Sequence, residues 1–136
     1  LSIGWAGTSG TGAVHKDSSA QSGTFAVYGV GDICGVAMDL DNAKLYFSKN
    51  GTYVNSGDPE SGATGTGAID IDSTTSGYVY LFANTNYANS AYAANFGNPS
   101  YANTSDAADA NGYGRFEYAP PANYYTLNTK NLAEYG

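Results

Sequence analysis

The chain has 136 residues, 42% of them hydrophobic and only 12% charged, with 12 acidic against five basic side chains and a net charge of −7. That length fits one domain able to bury a core without metal or disulfide staples, and a single cysteine excludes an internal disulfide. So acidic a chain repels phosphate backbones and anionic headgroups, which leaves nucleic acid and membrane surfaces as poor partners.

Soluble domains average roughly a quarter charged residues. Here Ser, Thr, Asn, Gly and 13 Tyr take that place, a polar but nearly uncharged surface of the kind extracellular and virion proteins carry. No apolar run approaches the ~20 residues that span a bilayer. The chain opens on LSIGWA without a charged-then-apolar leader, and we read it as a fragment or a processed product.

In chain order, Leu1–Ala6 reads as a strand with Ile3 and Trp5 on one face, followed by a long polar loop over residues 7–23. Gly23–Gly29 reads as a short strand. From Ile33 to Met38 the residues are apolar on both alternating faces, the mark of a central strand covered on both sides. Asp39–Asn42 predicts a tight reversal, because Asp and Asn bond nearby backbone and tolerate left-handed dihedrals. Beyond it, Leu45 and Phe47 alternate with Lys44, Tyr46 and Ser48, which predicts a half-exposed strand. Asn50-Gly51 suits a two-residue hairpin turn with both φ positive.

The Gly-rich stretch around Pro59 predicts surface excursions, and Ala68–Ile71 an edge strand. Gly77–Ala83 predicts a strand covered on both faces, and residues 84–97 a return to the sheet with Tyr92, Ala94 and Phe96 on one side. Ser105–Ala110 supports one helical turn at most. From Gly112 a Tyr- and Pro-rich tail follows. The fold class expected is all-β and antiparallel, with little or no helix.

The residues Gly31, Asp32, Ile33, Gly35, Val36, Ala37 and Asp39, followed by Leu45, Phe47, Lys49, Asn50 and Gly51, resemble the core signature of SPRY domains. Ile3-Gly4-Trp5 upstream and Asn95-Phe96-Gly97 downstream resemble that family's flanking landmarks, in the same order. The resemblance covers residues 1–101. It implies an antiparallel β-sandwich, a jelly roll of the concanavalin A-like lectin/glucanase type, which binds proteins or sugars and seldom catalyses. Family members usually begin with one or two earlier strands, so those strands are expected to be missing or supplied by another chain.

Residues 102–136 are expected to be an appended tail. Its Tyr118-Ala119-Pro120-Pro121, then Tyr125, Leu127-Asn128-Thr129 and Asn131-Leu132, resemble the segment that follows SPRY-like domains in bacteriophage tail and structural proteins. Asn123 and Thr126 depart from it, standing where those proteins usually have Gly and Ala. Physically, Pro120 and Pro121 favour an extended crossing, after which Tyr124, Tyr125 and Leu127 are expected to pin the tail to the sandwich or to a neighbouring subunit.

Glycan cleavage on such a sandwich needs two carboxylates facing across a groove. Glu60, Glu117 and Glu134 are widely spaced, and although Asp70 and Asp72 share a strand face, a solvated edge accounts for them. His15 near Asp17 reads as a surface histidine. Asp39, Asp41 and Asn42, or Asp70 with Asp72, carry oxygens suited to Ca²⁺, but EF-hand spacing is absent and turn formation explains the first group. One Cys and one His make no zinc set, and Cys34 reads as a buried small hydrophobe. Hence no catalytic residue, metal or cofactor is assigned.

Binding rests on tyrosine. Tyr53, Tyr87, Tyr92, Tyr101 and Tyr113 lie in or beside loops among Asn, Ser and Gly, a mixture that recognises sugars or proteins by stacking and adaptable hydrogen bonds, or that is buried between copies. The expectation is a non-catalytic structural or binding protein of a bacteriophage virion, a tail-fibre or capsid-decoration domain. Its partners would be further copies of itself, other virion proteins, or a host-surface glycan or protein. The alternatives are a secreted or cell-surface glycan-binding module and a glycan-cleaving enzyme of the same fold.

Overall fold

A computed structural model describes residues 2–7, 12–73, 77–85 and 91–135. The chain divides into two compact units, Leu1–Gly77 and Tyr78–Gly136, so the border expected at 101/102 falls within the second.

In the first unit, β1 (Ile3–Ala6) pairs antiparallel with β2 (Ala13–Lys16), and β2 with β3 (Ser19–Ala20). The polar loop expected over residues 7–23 is therefore in large part a hairpin. Asp17 and Ser18 take φ of 49° and 66°, the left-handed pair that a two-residue reversal requires. Val14 is fully buried while its neighbour His15 is exposed, a period-two pattern too short to be visible among small polar residues. In place of the strand expected over Gly23–Gly29 there is a single antiparallel bridge, Gly12 to Phe25. Gly12 is needed there, since a Cβ on it would lie 2.2 Å from the Ala26 carbonyl oxygen.

The second sheet contains β4 (Cys34–Asp39), β5 (Lys44–Lys49), β6 (Thr52–Tyr53) and β7 (Ile69–Asp70), all antiparallel to β5. β4 runs along one edge of β5, while β6 and β7 occupy the two ends of the other. The central strand is therefore β5, with Leu45, Tyr46, Phe47 and Ser48 all buried. This corrects the expectation for β4, which pairs with β5 alone among the described residues and leaves Val36 and Cys34 exposed. An apolar run makes a strand fit to be covered on both sides; whether neighbours cover it depends on residues distant in sequence.

Both reversals follow their residues. At the β4–β5 turn, the Asn42 backbone N–H and side-chain amide donate to the two oxygens of Asp39 at 2.9 and 2.8 Å. At the β5–β6 turn, Asn50 and Gly51 take φ of 48° and 78°. The two sheets meet at Trp5, whose ring lies 5.5 Å from Phe47 and edge-on to Tyr28 at 4.8 Å. Its indole N–H donates to the Ala26 carbonyl, and the Tyr28 hydroxyl donates to the Trp5 carbonyl. With Val14, Phe25, Leu45, Ile69 and Ile71 also buried, the first unit is an antiparallel β-sandwich.

The second unit holds far less regular structure. Residues 77–83 and 91–97 form none of the expected strands, and Val79 and Leu81 are 82% and 87% exposed. Phe82 meets Phe96 edge-on at 5.5 Å. A bridge between Ala107 and Phe116 stands where one helical turn was allowed. The tail ends in an unexpected helix, α1 (Thr129–Tyr135), capped by Asn128, whose side-chain oxygen accepts from the Asn131 N–H at 2.8 Å. Of the tail residues singled out, Tyr125 and Leu127 are exposed and Tyr124 is partly buried.

Candidate functional site

The two ends of the sequence signature meet in space. The Asp32 carboxylate accepts from the Gly29 N–H at 2.8 Å and from the Asn50 amide at 2.7 Å, and pairs with the Lys49 ammonium at 3.0 Å. Asn50 closes the ring by accepting from the Ile33 N–H at 2.8 Å and donating its own N–H to the Ile33 carbonyl. The Gly29 amide, Lys49 and Asn50 together hold the Asp32 carboxyl below its usual range. Lys49 is fixed further by donating to the Val27 carbonyl at 2.7 Å. These residue types at this spacing thus clasp the start of β4 to the β5–β6 turn.

Beside the clasp lies a pocket of about 310 Å³, lined by Thr24, Ala26, Lys49, Tyr53, Val54 and Asn55. Asn55 shapes it: at φ 57° it bends the chain after β6, accepts from the Thr24 N–H at 3.1 Å, and donates to the Gly67 carbonyl at 3.1 Å. Tyr53 is held edge-on against buried Tyr46, ring centroids 6.4 Å apart. Burial, and then the charge of Glu60, push the Tyr53 hydroxyl up to about 12, so it stays protonated at neutral pH. Because Asn55 and Lys49 spend their polar atoms on backbone partners and Asp32, the pocket walls are mainly apolar. Such a surface takes the apolar face of a sugar ring or a hydrophobic side chain against the tyrosine.

The other tyrosines singled out from the sequence are dispersed. Tyr87 lies outside the described residues. Tyr92 is exposed on a stretch without regular structure, and Tyr101 is partly buried. The Tyr113 hydroxyl donates to Glu134 at 2.7 Å, and the Lys130 ammonium sits 4.1 Å from the centre of its ring, so Tyr113 braces α1. Only Tyr53 belongs to the first unit.

The acidic pair considered for catalysis is engaged elsewhere. Asp70 pairs with Lys44 and Asp72 with Lys16 at 3.4 Å, and Lys16 also donates to the Asp70 carbonyl at 2.9 Å. These contacts link β2 to the β7 end of the second sheet. Among the described residues, no three His, Cys, Asp or Glu side chains gather in a way that would hold a metal ion. Cys34, expected to be buried, is exposed at the start of β4. Desolvation of the sulfur, and then nearby Asp32, raise its thiol above the usual range.

Sequence reasoning missed Asp109, the most heavily bonded side chain of the second unit. One of its oxygens accepts from the N–H groups of Asn111 at 3.0 Å and Tyr113 at 2.9 Å. The other accepts from the Thr126 N–H at 2.9 Å, the Thr126 hydroxyl at 3.0 Å and the Asn131 amide at 2.7 Å. Burial alone would raise this carboxyl, but the hydrogen bonds from Thr126, Tyr113 and Asn131 outweigh it and hold the group at about 2. The Asp-Ala-Asn-Gly run at 109–112 signals the local turn, whereas partners 17 and 22 residues further on leave no local trace. No family model, curated protein or solved structure matches this chain.

Proposed function

We propose that this chain is a SPRY-like, jelly-roll-related binding module without catalytic residues, serving a bacteriophage virion in assembly or attachment to a host surface. The observation that carries the reading is how the charged groups are used. Asp32, Lys49 and Asn50 clasp the hairpin, and Asp70, Asp72 and Asp109 tie strands and tail together, so the groups that hydrolysis would require serve the architecture. Among the described residues, the Tyr53 pocket offers a ligand stacking and apolar contact. The virion assignment rests on the tail, whose Ala119-Pro120-Pro121 to Leu132 stretch resembles bacteriophage structural proteins, and on the weakly charged surface.

A glycan-binding module of a secreted or cell-surface protein is the second reading, favoured by Tyr53 standing beside Thr24 and Thr52 in an apolar recess. One experiment addresses both. Fluorescently labelled protein is titrated onto bacterial cells and onto immobilised surface polysaccharide, with Tyr53→Ala in parallel and the release of reducing ends followed. Saturable binding, lost in Tyr53→Ala and unaccompanied by new reducing ends, is expected. Turnover, or binding indifferent to Tyr53, would remove the proposal. Binding to polysaccharide from many sources but to no intact bacterium would favour the second reading.

A further inference from the structure

One edge of the first unit lacks the devices that usually guard the border of a sheet. β3, β6 and β7 are each two residues long, and β1 is flanked by Tyr28, whose hydroxyl donates to the Trp5 carbonyl at 2.8 Å. β4 has six residues and pairs with β5 alone among the described residues. Its register with β5 runs unbroken from Cys34 to Asp39, so no bulge twists the edge away. Neither proline nor charge interrupts residues 34–38. An edge of this length without such protection is a template for another strand.

The direction of the backbone groups follows from the start of the strand. The Ile33 carbonyl accepts from the Asn50 N–H at 2.8 Å, and the Ile33 N–H donates to the Asn50 side-chain oxygen at 2.8 Å, so Ile33 faces the β5 end. Because an antiparallel ladder alternates, Gly35 and Ala37 also face β5, while Cys34, Val36 and Met38 turn their N–H and carbonyl groups outward. The side chains of those three share the Phe47 face, where Val36 is 50% exposed and Cys34 is exposed. This edge is complementary to itself. Laid antiparallel on a second copy with Val36 opposite Val36, it sets Cys34 opposite Met38 at both ends, and all three outward residues of each copy find partners. Gly35 then meets Ala37 on the other face, adding neither bulk nor charge. In a chain of net charge −7 the two flanking carboxylates are already engaged, Asp32 with Lys49 at 3.0 Å and Asp39 with the Asn42 N–H at 2.9 Å. The same register puts Asp39 opposite Ile33, away from the Asp39 of the other copy.

We propose that the β4 edges of two copies pair antiparallel about a two-fold axis at Val36, joining their second sheets into one continuous sheet across a dimer. The contact is isologous and closes at two copies. A strand pair six residues long falls below the standard interface size, so the dimer is reversible and concentration-dependent. The pairing is independent of the Tyr53 pocket, which lies on the β6 side of the second sheet, so Tyr53→Ala leaves it intact.

The test is the solution mass of the reduced protein by sedimentation equilibrium over a concentration series, with Val36→Pro and Val36→Lys compared to the parent. Proline removes the outward N–H and leaves the bonds to β5, which Gly35 and Ala37 make; lysine sets two like charges against each other on the two-fold axis. The parent is expected to rise to twice the monomer mass and both variants to stay at the monomer mass, while Trp5 emission stays unchanged as a check that the first unit is folded. A second measurement leaves the strand's hydrogen bonds in place. In a Cys34→Ser background, Val36→Cys is oxidised mildly beside Val30→Cys, a fully exposed position off the strand. The two-fold sets the Cα atoms of residue 36 about 5.5 Å apart, within disulfide reach. Val36→Cys is therefore expected to link into a covalent dimer far faster than Val30→Cys. A parent that stays monomeric across the series, a dimer that survives both substitutions, or equal rates of linking at positions 36 and 30 would each overturn the proposal.

Discussion

Tyr46 is 1% exposed in the central strand, and its hydroxyl has no hydrogen-bond partner among the described residues. A buried hydroxyl left unpaired loses its hydration without return, while the ring retains its packing against Tyr53. Tyr46→Phe is therefore expected to raise stability by about 1 kcal/mol in urea denaturation, with an unchanged m-value. Asn50 is the opposite case, since its side chain satisfies the Ile33 N–H and Asp32 and its backbone sits at φ 48°. Asn50→Ala should cost roughly 2 kcal/mol, about one for each hydrogen bond. The role of Asn50 is legible in the sequence because an Asn-Gly pair fixes its own turn. Tyr46 was not, since polar Lys44 and Ser48 on the same face suggest water, while the face is closed by Tyr53 and the turn after it.

At the level of elements, local chemistry read true and long-range cover did not. The β4–β5 and β5–β6 hairpins and the β7 edge strand follow from residues within a few positions of each other. The exchange of roles between β4 and β5, and the exposure of residues 78–83, depend on which distant strand lies alongside. Helix α1 was not expected from the sequence, and although Asn128 caps it, at seven residues it is too short to persist without tertiary support. That support comes from Asp109 holding Asn131 and from Tyr113 holding Glu134. Asn128→Ala is accordingly expected to cost about 1 kcal/mol, as for other lost caps, measured as a lower Tm of the second unit.

The whole molecule contains two compact units with separate optical reporters, which allows their acid responses to be told apart. The single tryptophan, Trp5, lies where the two sheets of the first unit meet, and all of the 13 tyrosines except Tyr28, Tyr46 and Tyr53 belong to the second. Asp109 is buried with five donors and titrates at about 2 in the folded chain, against 3.8 ordinarily. Because the folded value is the lower one, its stabilisation is complete above pH 3.8 and is lost as the pH falls towards about 2. A shift of that size corresponds to about 2 kcal/mol. In the first unit, Asp32 and Asp39 are also lowered, but they lie at the surface, where solvent screens them. On acid titration from pH 5 downwards, the near-ultraviolet tyrosine signal should therefore collapse before the Trp5 emission shifts. Asp109→Asn should weaken the pH dependence of the tyrosine transition while lowering its midpoint temperature at neutral pH, because an amide in that position meets donors with a donor of its own. Coincident transitions at both wavelengths would mean instead that the two units unfold as one and that Asp109 secures more than the tail.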